Sequence, residues 1–102
     1  MESRLRPLAH VLRARNNQER RRLLSDKRVV CAFCELVHNV IKKRIPLSVK
    51  ERRRWCLRKK QLTSLVNRRN SFKHKSRLLQ KGGFLQLLLP VAKTLLSGLG
   101  IL

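Results

Sequence analysis

The feature that most limits what this 102-residue chain can fold into is the separation of its charge from its apolar end. Of 26 Lys and Arg, 25 precede Gly82, as do all five acids, and only Lys93 follows it. Residues 1–81 therefore carry +20 and the last 21 residues +1. A body of that charge repels itself, and it collapses only against enough buried apolar surface or a neutralising polyanion. The end of the chain is the reverse. From Phe84 to Leu102 apolar residues dominate, and Gln86, Pro90, Lys93, Ser97 and Gly100 fall three and four apart. That is helical spacing, so the polar and small residues form one narrow stripe on an otherwise apolar helix.

The two glycines before this helix, Gly82 and Gly83, read as a flexible hinge or cap, and Pro90 as a kink or the start of a second half. The preceding sequence offers few apolar residues to cover so wide a face. The tail, carried by Phe84, Leu85, Leu88, Leu89 and Leu95, is therefore expected to meet a membrane or a second copy, with packing on the chain's own core the blander alternative. A transmembrane span is marginal, because Lys93 and Pro90 lie within the stretch.

The body reads as all-α. Residues 1–24 begin with Leu5, Leu8, Ala9 and Leu12 at helical spacing and lose that face at Arg13, which predicts a basic, weakly packed first helix of uncertain continuity. Residues 26–44 are the best core helix. Ser25 is placed to cap it, Asp26 lies in its first turn, and Val29, Val30, Phe33, Leu36, Val37, Val40 and Ile41 recur at three and four. Ser48-Val49-Lys50-Glu51 is a capping box opening a third helix, whose apolar positions are Trp55, Leu62, Leu65 and Val66. Ser71 opens a short basic helix from Phe72 to Lys81 with Leu78 and Leu79 inward. Strand alternation and hairpin turns are missing. The expected organisation is a basic N-terminal helix or arm (1–25), a helical core (26–70), a basic helix (71–81) and an apolar tail (82–102). In architecture this is three to four basic helices with a hydrophobic C-terminal helix.

Little points to chemistry. Cys31-x-x-Cys34, His38 and Cys56 are zinc-ligand types, but the first three lie in a regular helix without the turn a metal knuckle needs, where Cys serves as a small apolar filler. No metal, other cofactor or disulfide framework is expected. The acids are scattered singly, His10, His38 and His74 have no acid or nucleophile at an informative spacing, and no phosphate loop exists, so an enzyme is not expected. The N-terminus shows no secretory signal.

The basic content is the strong signal. The cations expected to meet phosphate are Arg20, Arg21, Arg22, Lys42, Lys43, Arg44, Arg52, Arg53, Arg54, Arg58, Lys59, Lys60, Arg68, Arg69, Lys73, Lys75, Arg77 and Lys81. They occur on every helical face, which suits neutralisation of double-stranded DNA and not base readout. Only four aromatics are present, too few for a base-stacking platform. Two alternatives stand beside this reading. One is a membrane-active protein whose body binds anionic lipid while its tail inserts. The other is a sequence-specific helix-turn-helix-like binder over residues 26–66.

Two stretches carry a resemblance. Lys81-Gly82-Gly83-Phe84-Leu85-Gln86-Leu87-Leu88-Leu89-Pro90 resembles the C-terminal segment of the adenovirus core protein X (mu precursor) family. Over roughly residues 26–102 the chain is similar to the small basic proteins of Polinton/Maverick transposable elements and the related adintoviruses. The matching features are a Cys-bearing helix, the turn Ile45-Pro46-Leu47-Ser48, and a basic helix. The last is a segment in which Ser71, Lys73, Lys75, Leu78 and Leu79 precede Gly82, Gly83, Phe84 and Leu85. The resemblance implies a non-enzymatic virion core protein that condenses double-stranded DNA in a virion core or host nucleus, with possible contact to the capsid interior, a membrane or itself. The chain departs from the adenoviral pattern at Gln86, where that family has proline, and in a body that reads as folded. Leu96-Ser97-Gly98-Leu99-Gly100 also resembles the adenoviral maturation-protease consensus, which implies a cut before Gly100.

Overall fold

The computed structural model describes residues 2–81 and 83–101, and among them it contains helices and no strand. The organising element is the helix Lys27–Ile41 (α4). Its two apolar rows put Val29, Val30, Phe33, Leu36 and Val37 at the centre of the molecule, each at most 2 % exposed. Before it come Glu2–Leu5 (α1), Pro7–Leu12 (α2) and Asn17–Leu23 (α3). After it come Val49–Leu57 (α5), Lys59–Val66 (α6), Phe72–Gln80 (α7) and Phe84–Gly98 (α8). Helices α1, α2, α6, α7 and α8 all pack on α4.

Local sequence explains most helix boundaries. Asp26, rather than Ser25, caps α4: its carboxylate accepts the Arg28 backbone N–H at 2.8 Å, while the Ser25 hydroxyl turns back to the Arg21 carbonyl at 3.4 Å. The capping box at Ser48 and Glu51 forms in full, with 3.2 and 3.0 Å bonds. Ser71 caps α7 through the His74 N–H. The end of α4 is a Schellman turn, in which the Lys43 N–H meets the Val40 carbonyl and the Arg44 N–H the Asn39 carbonyl. That turn needs a left-handed residue, and here it is Lys43 at φ 60°. The same motif closes α8 with the usual glycine, Gly100, at φ 77°.

Two expected helices are broken, so eight helical segments stand among the described residues where four or five were predicted. The N-terminal one divides at Arg6 and again across residues 13–16, with Asn16 capping α3 through the Glu19 N–H. Its first two pieces are well packed, contrary to the sequence reading, since Leu5, Leu8 and Val11 are fully buried, whereas α3 buries none of its residues. The third helix breaks at Arg58, because its halves have different partners: α5 packs chiefly on α6 and α8, and α6 on α4 and α7.

The largest correction concerns α8. Its apolar face does not wait for a membrane or a second copy. Phe84, Leu85, Leu88, Val91, Ala92 and Leu96 are buried against α2, α4, α5 and α7. Leu89 and Leu95 are half-buried against the same core. The apolar residues of α2, spread thinly in the sequence, join those of α4, α5 and α7 in supplying the cover that the tail was expected to lack. The predicted polar stripe is the solvent face: Gln86, Pro90, Lys93, Ser97 and Gly100 are all exposed. Pro90 sits inside the continuous helix, and the carbonyl its missing N–H leaves unpaired, that of Gln86, lies on this wet side. No helix among the described residues is long and apolar enough to cross a membrane.

The predicted glycine hinge is a defined turn at Gly83, which has φ 83° and would bring a Cβ within 3.2 Å of the Arg58 guanidinium. Gly82 lies outside the described residues. The segment after α2 is tied to the segment after α8 where Arg13 donates to the Ile101 carbonyl at 3.1 Å. The resulting Cα radius of gyration, 12.5 Å, is that of a collapsed domain of this length.

Candidate nucleic-acid interface

Burial of the apolar rows leaves the cations outside. Of the eighteen expected phosphate contacts, fifteen are exposed: Arg21 and Arg22 on α3, Lys42, Lys43 and Arg44 after α4, Arg52, Arg53 and Arg54 on α5, Lys59 and Lys60 on α6, Arg68 and Arg69 in the following turn, and Lys73, Arg77 and Lys81 on or after α7. The other three are half-buried. Arg20 has its Nε enclosed with no hydrogen-bond partner among the described residues. Arg58 donates to Gln61 at 3.2 Å and backs onto Gly83. Lys75 lies in a recess. Among the described residues only Arg4–Glu35 (3.8 Å) and Arg28–Asp26 (3.5 Å) form ion pairs. Nearly all the positive charge is therefore unneutralised from within.

The fold also gathers cations that lie far apart in sequence. Arg44, Arg68 and Lys75 meet Arg4 and Lys27, two residues that charge counting did not single out, around an open cleft of about 620 Å³. Five segments supply these five cations, so no local pattern in the sequence announces the site. Glu35 is the one acid in the wall, and Arg4 stands beside it. The floor is braced: Asn39, 1 % exposed, donates to the Glu35 carbonyl at 2.7 Å and to its carboxylate at 3.3 Å. The Asn39 side-chain oxygen Oδ1 accepts from the Arg44 guanidinium at 3.3 Å. A second, smaller recess brings Arg54 and Arg58 against Gly83 and Gln86.

The cysteines separate. Cys31 and Cys56 are exposed, so Cys31 is not the core filler that the helical pattern suggests. Cys34 is half-buried and donates to the Leu65 carbonyl at 3.4 Å. Burial pushes its thiol above the ordinary value, with the Lys75 ammonium opposing. No group of three or more His, Cys, Asp and Glu is placed to hold a metal ion among the described residues. One contact was not visible in sequence spacing: Ser64 Oγ lies 3.1 Å from His74 Nε2. Asn70 donates to the same Ser64 Oγ at 3.0 Å and to its carbonyl at 2.7 Å, so the trio staples the α6–α7 turn.

The stretch resembling a protease consensus has a structural role of its own. Ser97 and Gly98 are helical, Leu96 is fully buried, and Gly100 is the left-handed residue of the α8 cap. Ser97 to Gly100 are exposed, but their backbone is helical and turned, not the extended segment that a protease takes most readily. Comparison with family models, with curated proteins and with solved structures finds no match to this chain.

Proposed function

We propose that this protein binds double-stranded DNA without regard to sequence and condenses it, as a core protein of a virus-like mobile element of the Polinton type. The observation that carries the binding reading is the display of fifteen exposed, largely unpaired cations on segments that surround one apolar core. Phosphate contacts of this kind position a protein on a duplex but carry no sequence information. Cations on several sides of a globule measuring 32 × 31 × 23 Å suit bridging between duplexes, which is what condensation requires. The mobile-element setting rests on the resemblance at Ile45–Ser48 and Ser71–Leu85 alone.

The competing readings lose support. A membrane-inserting protein needs a free apolar helix, and the apolar face of α8 is committed to the core. A helix-turn-helix unit over residues 26–66 would present one continuous second helix from Val49 to Val66, whereas that stretch breaks at Arg58 and only its latter half, α6, packs on α4. The test is duplex binding over a salt series with random-sequence competitors. Log affinity should fall linearly with log salt at a slope of about six or more in magnitude, as expected when seven or more phosphates are engaged. A shallow slope, or a preference beyond about a hundredfold for one short sequence, refutes the reading.

A further inference from the structure

The cleft beside α4 differs in kind from the rest of the basic surface. Its cations converge from five segments on one concavity, and Arg44 is held in place through buried Asn39. Its volume, about 620 Å³, falls within the range of small-molecule sites. Its wall also has an aromatic face. Of the four aromatic residues Phe33, Trp55 and Phe84 are in the core, and the fourth, Phe72, is 37 % exposed and lines this cleft beside Val66. A planar apolar surface next to clustered phosphate donors matches the two parts of a nucleotide, its base and its phosphate.

We propose that this cleft holds an unpaired nucleotide unit, its phosphate on Arg44, Arg68 and Lys75 and its base against Phe72. Stacking between neighbouring base pairs hides both faces of a base within a duplex, so the unit would come from a single strand or from a free nucleotide. The proposal deepens the nucleic-acid reading above and rests on it for the source of the strand. Duplex binding by the outer cations does not require it.

Two cysteines report occupancy. Cys31 is exposed in the cleft wall, and Cys56 is exposed on α5 outside it. The full-length chain is alkylated with iodoacetamide in the presence of a short oligothymidylate, ATP, inorganic tripolyphosphate or a covalently closed duplex, and modification at each cysteine is followed by mass spectrometry. The oligothymidylate or ATP should slow alkylation of Cys31 well beyond any effect at Cys56, and comparison of the two identifies the source. Phe72→Ala should weaken binding of that ligand about fivefold or more while leaving tripolyphosphate unchanged, and Phe72→Tyr should restore it. The double variant Arg44→Ala with Lys75→Ala should abolish the protection. Equal protection by tripolyphosphate, insensitive to Phe72, would reduce the cleft to a phosphate site and overturn the proposal. So would unprotected Cys31 in every arm while the duplex still binds, a result that leaves the DNA reading standing. Loss of duplex binding with Cys31 still protected would refute the DNA reading and keep the cleft.

Discussion

Removing α8 should unfold the protein. The sequence alone suggests the opposite, because truncation after Lys81 keeps +20 of the +21 charge. In the structure α8 contributes five large buried side chains, Phe84, Leu85, Leu88, Val91 and Leu96. At about 1.5–3 kcal/mol each, their burial is worth roughly 7–15 kcal/mol. A domain of this size has a total stability of roughly 5–15 kcal/mol, so the truncated chain retains no margin. The point test is Leu88→Ala, at a side chain that is fully buried. Removing it should cost about 2–5 kcal/mol, depending on how far the cavity collapses. With about 4–8 °C per kcal/mol for a domain near 100 residues, the melting temperature should fall by at least roughly 8 °C. Thermal unfolding followed by far-ultraviolet circular dichroism measures this, with Lys93→Ala on the exposed stripe as the control that should stay within about 0.5 kcal/mol. A cooperative melt in the chain ending at Lys81, or a Leu88→Ala shift no larger than that of Lys93→Ala, would refute the packing argument.

Three smaller predictions come from the helix ends and the proline. Lys43→Gly relieves a left-handed lysine in a turn that glycine prefers, and should raise stability by about 1 kcal/mol in chemical denaturation. Pro90→Ala restores a donor to α8 on its solvent side and should stabilise by up to about 3 kcal/mol; no gain would mean that the helix is adapted to its proline. Asp26 is held below its ordinary carboxylate value chiefly by the Arg28 backbone N–H, partly offset by desolvation, with the Arg28 guanidinium adding. Because the folded value is the lower one, its contribution is complete above the unfolded value of 3.8 and is lost as pH falls through the depressed one. Asp26→Asn should keep the cap and remove that part of the acid dependence, read from denaturation midpoints between neutral pH and about 3.

The sequence by itself determined which faces are apolar and where several helices begin. The three-and-four spacing of Val29 to Val40, the box at Ser48 and Glu51, and the stripe from Gln86 to Gly100 are short-range patterns, and short-range hydrogen bonds and burial periodicity realise them. The wealth of exposed cations was equally legible, since unpaired Lys and Arg have nowhere to go but the surface. What the tertiary structure decided was the partner of each face. Periodicity shows that α8 must be covered and is silent on what covers it, so Leu8 and Val11 of α2 could not be matched to it in advance. The same limit applies to the cleft. Arg4, Lys27, Arg44, Arg68 and Lys75 are brought together only by the packing of α1, α6 and α7 on α4, and no spacing along the chain encodes that meeting.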